Sequence, residues 1–86
     1  MKVVFSSKSL KQLEKINIRF QEKILDVLKR FENDEKVDIK KMKGRKEGYR
    51  IRIGEYRILL DKVKEKEFLV TKIGSRENIY LIFVGF

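Results

Sequence analysis

The sequence contains no cysteine and no histidine. Without cysteine there is no disulfide framework and no thiolate metal site. Without histidine the commonest general base and the commonest metal ligand are both gone. Any catalysis must therefore use Lys, Arg, Tyr or carboxylates, and no metal and no cofactor is expected. No apolar run is long enough to cross a membrane. The opening "MKVVFSSKSL" lacks the long apolar stretch and small-residue cleavage site of a signal peptide. A cytoplasmic location is the expectation.

What is present is length for one domain and charge of one sign. The 86 residues suffice for a single domain, 1–86, with one modest core. Formal net charge is +9. It is unevenly spread: residues 36–57 carry nine basic side chains against three acidic ones, whereas residues 1–35 carry eight against six. A basic excess focused on one segment is the footprint expected for a polyanion ligand.

That segment contains "YRIRIGEYRI", residues 49–58. Tyr49, Ile51 and Ile53 alternate with Arg50 and Arg52, the period of a half-buried strand. Gly54-Glu55 suits the two-residue loop of a type II′ hairpin. The register would then set Ile53 against Tyr56, Arg52 against Arg57 and Ile51 against Ile58. Arg50, Arg52 and Arg57 would share one face, although like charges opposed across a sheet repel. A phosphate-holding role would account for an arrangement that a merely solvated strand explains poorly.

Elsewhere the pattern is regular. "KVVFS" (2–6) reads as a strand, and Ser6 or Ser7 can cap a following short helix with Leu10, Leu13 and Ile16 on one face. Asn17 breaks that helix or caps the next. Phe20, Ile24, Val27, Leu28 and Phe31 recur at helical spacing, so the second helix runs to about Phe31–Asn33. "ENDEKVD" (32–38) reads as loop, "KEKE" (64–67) as a polar turn and "FLVTKIG" (68–74) as a third strand of the meander. Gly44, Gly54 and Gly74 read as turn glycines. The fold class is α+β: an N-terminal strand, then a two-helix hairpin packed on an antiparallel sheet, in the order β-α-α-β-β-β. The face carrying Tyr49, Ile51, Ile53, Tyr56, Ile58 and Leu60 should meet the helices. The arginine face should be open.

"KKMKGRKEGYRIRIGEYRILL" followed by "VTKIGSRENIY" resembles the RelE family of the RelE/ParE toxin superfamily. The resemblance covers the whole chain in element order and is most specific from Lys41 to Tyr80. It implies a toxin of a type II toxin–antitoxin pair that enters the ribosomal A site and cuts messenger RNA, the scissile 2′-OH attacking its adjacent phosphate. It implies catalytic roles for Arg50, Arg52, Arg57, Arg76 and Tyr80. Lys41, Lys43, Arg45 and Lys46 would add RNA or ribosome affinity. Ser75 stands where many relatives carry His, which leaves Tyr80 as the proton-transfer candidate. These assignments have bland alternatives: Arg50 and Arg52 could be solvated strand residues, Arg76 could pair with Glu77, Asp61 or another carboxylate, and Tyr80 could pack under the sheet with Ile79.

The implied partners are an acidic RelB-like antitoxin, with a heterotetramer within range, and the ribosome with its message. A ParE-like gyrase poison and a degenerate toxin that only binds antitoxin are the competing functions. Arg52→Ala or Arg57→Ala is expected to abolish toxicity with little loss of stability. The apolar tail "IYLIFVGF" (79–86) is expected to pack partly on the body and partly to offer a landing surface for antitoxin or a second copy.

Overall fold

The structure, a computed structural model, describes residues 1–44 and 46–75. The tail 79–86, with its expected packing, lies outside the described residues. The element order is β1 (Lys2–Phe5), α1 (Ser7–Glu14), α2 (Ile18–Glu32), β2 (Ile39–Lys41), β3 (Gly48–Ile53), β4 (Tyr56–Lys64) and β5 (Glu67–Ser75). The five strands form one sheet in the order β1-β5-β4-β3-β2. The α+β architecture read from the sequence is observed, and the sheet is mixed: β1 runs parallel to β5, and the other pairs are antiparallel.

Both helices start on the caps their sequences offer. The Ser6 side chain accepts from Ser9 N at 3.1 Å, and Asn17 Oδ1 accepts from Arg19 N at 2.9 Å. Each satisfies one of the orphan amides of a first helical turn. Ile24, Leu28 and Phe31 of α2 and Leu13 of α1 are buried against Ile51, Ile58, Leu60, Phe68, Val70 and Ile73 of the sheet. Phe31 and Tyr49 each meet Phe68 edge-on, with centroids 4.9 and 5.6 Å apart. The face chosen for the core by alternation is the face the helices cover.

Three local features differ from the expectation. Leu10 is exposed, and Ser9 takes the buried position on α1 instead. The Ser9 hydroxyl donates to Val70 O at 2.9 Å, and Gln12 Oε1 accepts from Ile73 N at 2.8 Å. Thus α1 continues by side chains the edge that β1 leaves at Phe5, where the β1–β5 register ends on Val70. Gly74 is not in a turn; it lies in β5 opposite Arg57. The segment after the helices contributes the short edge strand β2, with Ile39 against Ile51 and Lys40 against Arg50. A three-residue strand with two lysines is typical of a blunted sheet edge and too short to show a period.

Candidate functional site

The β3–β4 hairpin has the expected register: Ile53 opposes Tyr56, Arg52 opposes Arg57 and Ile51 opposes Ile58. Gly54 has φ 57° and Glu55 no positive φ, the pattern of a type II′ loop. The face away from the helices therefore carries two cross-strand rows. One is Lys40, Arg50, Leu59 and Lys72; the other is Arg52, Arg57 and Gly74. Asp38 extends the second row, because Arg52 N donates to Asp38 O at 2.9 Å one residue before β2.

The arginines of this face have different surroundings. Arg57 is only 6% exposed, and one of its terminal nitrogens donates to Gly54 O at 2.9 Å and Tyr56 O at 3.0 Å. Its guanidinium thus braces the hairpin turn. Arg52 is exposed, and its Nε donates to Asp38 Oδ2 at 2.8 Å. Arg50 is half-exposed, and its side chain makes neither a hydrogen bond nor an ion pair with the described residues.

These contacts change the account of the Arg52–Arg57 opposition. Repulsion across the hairpin is relieved from both sides: a carboxylate meets Arg52, and backbone carbonyls draw the Arg57 guanidinium toward the turn. The packing alone therefore tolerates the pair. The charges also act on Asp38. The hydrogen bond from Arg52 holds its carboxyl below the usual carboxylate range, helped by the nearby charges of Arg52, Arg50 and Lys40 and opposed by desolvation.

Of the residues singled out in the sequence, Arg50, Arg52 and Arg57 come together on one face. Lys41 ends β2, and Lys43 and Lys46 lie in the exposed turn region before β3. Arg45, Arg76 and Tyr80 lie outside the described residues. Sequence reasoning missed Asp38. Its signal was the apolar Ile39: once Ile39 is paired with Ile51, Asp38 falls beside Arg52. Among the described residues no cluster of three or more acidic side chains could hold a metal ion. What the arrangement offers chemically is guanidinium and ammonium groups able to meet phosphate oxygens.

Comparison with known proteins gives the family. The family described as ParE toxin of type II toxin-antitoxin system, parDE, matches residues 3–80. Toxin RelE3 of Methanocaldococcus jannaschii is 33% identical over 88 residues, spanning 96% of this chain and 99% of the relative. The RelB-RelE antitoxin-toxin complex from Methanococcus jannaschii contains a chain similar in structure, with TM-score 0.79, 28% identity and coverage of 93% of this chain and 98% of that one. The isolated E. coli RelE toxin matches with TM-score 0.74 at 21% identity, covering 98% and 95% of the two chains, a likeness of fold.

Proposed function

The chain belongs to the RelE/ParE family of type II toxin–antitoxin toxins, and from its arginine face we propose that this RelE-type toxin is a ribosome-dependent mRNA endoribonuclease. The observation that carries the reading is that Arg50 and Arg52 stand two residues apart on one strand face, both reachable by solvent, with Lys40 directly beside Arg50. In the proposed reaction the 2′-OH of one nucleotide attacks its own 3′ phosphate. The P–O bond to the next nucleotide's 5′ oxygen breaks, leaving a cyclic phosphate end. Negative charge gathers on the phosphate oxygens in the transition state. Guanidinium groups carried on one strand face stabilise that charge. Arginine suits the task because its fork meets two oxygens at once and its charge persists at any working pH.

In this reading Arg57 serves by bracing the hairpin that presents Arg50 and Arg52. Arg76 and Tyr80 keep the roles implied by family resemblance, with Tyr80 the proton-transfer group. Lys41, Lys43, Arg45 and Lys46 add affinity for RNA and ribosome. In this reading the face holds phosphate rather than reading bases, so the ribosome positions the strand, and the site of action is the cytoplasm. The controlling partner is an acidic RelB-like antitoxin, as the RelB-RelE complex of the M. jannaschii relative suggests, with a heterotetramer the expected assembly. The gyrase-poison reading has less support, because the relative at 33% identity is named a RelE toxin.

Cell-free translation with mapping of message ends, set beside a gyrase supercoiling assay, tests the proposal. Cleavage of translated messages, with naked RNA cut poorly and gyrase unaffected, is the expected result. Intact messages alongside inhibited supercoiling would overturn it.

A further inference from the structure

Asp38 occupies the edge of Arg52 that a phosphate would use. Its Oδ2 lies 2.8 Å from Arg52 Nε, and guanidinium N–H edges meet carboxylate and phosphate oxygens in the same way. Strand register holds the two residues opposite each other, through Arg52 N donating to Asp38 O at 2.9 Å. Yet both side chains remain open to water, with exposures of 48% for Arg52 and 41% for Asp38. The carboxylate can therefore swing aside without disturbing the core. One row away, Lys40 and Arg50 are directly opposed, and among the described residues no carboxylate forms an ion pair with either.

We propose that Asp38 is an intramolecular competitor for the phosphate site on Arg52, so that the face selects a strand bearing several phosphates over a single anion. The inference rests on the arginine face being the RNA site. A lone anion must displace Asp38 by itself. A strand whose other phosphates already sit on Arg50 and Lys40 presents its next phosphate to Arg52 at high effective concentration, and displacement becomes intramolecular. The alternative role for Asp38, proton acceptor from the 2′-OH, is disfavoured by the same ion pair. Arg52 holds the carboxyl below its usual range, and a carboxylate so stabilised is a weak base.

The test is binding of a labelled single-stranded oligouridylate, followed by fluorescence anisotropy over a range of salt concentrations. It compares the unaltered protein with Asp38→Asn, Asp38→Ala, Arg50→Ala and the control Asp34→Asn. Asp34→Asn makes the same change in net charge at the end of α2, away from the face. Asp38→Asn should bind about two- to fivefold more tightly, the range set by the strength of an exposed ion pair. Its log–log salt dependence should stay close to the parent's, because Arg52 meets one phosphate in both proteins. Asp38→Ala, which cannot accept from Arg52 at all, should bind at least as tightly. Asp34→Asn should change little. If Arg50→Ala weakens binding but neither Asp38 variant exceeds Asp34→Asn, the competitor role is wrong and the RNA face stands. If Arg50→Ala leaves binding unchanged, the face is not the RNA site and both readings fall.

Discussion

Arg50 and Arg57 have the same chemistry and lie on the same face, but one is half-exposed and the other is buried with its guanidinium on two turn carbonyls. Their alanine variants should therefore fail in different ways. Arg57→Ala strips hydrogen bonds from Gly54 O and Tyr56 O and should cost about 1–3 kcal/mol, lowering Tm and loosening the hairpin. Arg50→Ala should stay within about 0.5 kcal/mol of the parent while losing RNA affinity. Thermal unfolding paired with RNA binding separates the two, and equal melting of both variants would remove the bracing role of Arg57. The sequence expectation that Arg57→Ala spares the fold is thus revised. Asp38 offers a second check. Its folded-state pKa is depressed, so the ion pair's contribution is fully present above the ordinary carboxylate range and is lost as pH falls through the lowered value. Carboxyl NMR should find its midpoint below that of an ordinary aspartate, and Arg52→Ala should move it back up. Alternation made the shared face and the register of these arginines readable from residues 49–58. It assigns a face and not an exposure, which is why the burial of Arg57 and the pairing of Asp38 were hidden.

Elements were readable where they announce themselves by period and cap. The α2 stripe of Ile24, Leu28 and Phe31 and the Asn17 cap needed only local chemistry. On α1 the pattern misled, because the side that meets the sheet is set by a long-range need. Val70 O lies at the end of the β1 pairing, where Ser6 N also donates to it, and Ile73 N lies beyond it; Ser9 and Gln12 meet them across 61 residues of sequence. No local period encodes such a demand. The end of α2 carries another feature. Asp34 has φ 61°, Glu35 N donates to Arg30 O at 2.9 Å, and Asp34 N donates to Phe31 O at 3.1 Å. This is the Schellman arrangement, with a non-glycine residue in the left-handed position. Asp34→Gly should relieve about 1–2 kcal/mol of backbone cost and give back about 0.4–1 kcal/mol in unfolded-chain entropy. A net gain of about 0.5–1 kcal/mol is expected. Chemical denaturation should show a higher midpoint with an unchanged slope; a lower midpoint would mean that the Asp34 side chain contributes more than its backbone costs.

At the scale of the whole molecule the question is whether the excess positive charge acts as a general attraction or through a few placed groups. The two accounts predict different salt behaviour. If Lys40, Arg50 and Arg52 each meet one phosphate of single-stranded RNA, the slope of log affinity against log salt should be about −2. Arg50→Ala should then reduce the slope by about 0.7. Lys29 is exposed on α2, in the helical layer that covers the opposite face of the sheet. At physiological salt the screening length is about 8 Å, and the protein is 23 Å across its shortest dimension. Lys29→Glu alters net charge by more than Arg50→Ala does. Even so, it should leave the slope unchanged and the affinity nearly so, because its charge is screened and touches no phosphate. A diffuse attraction gives the reverse order, with Lys29→Glu the more damaging of the two. The comparison needs only titrations of the two variants and the parent at several salt concentrations. If the larger charge change causes the larger loss, RNA is drawn to the protein as a whole and the arginine face loses its standing as the site.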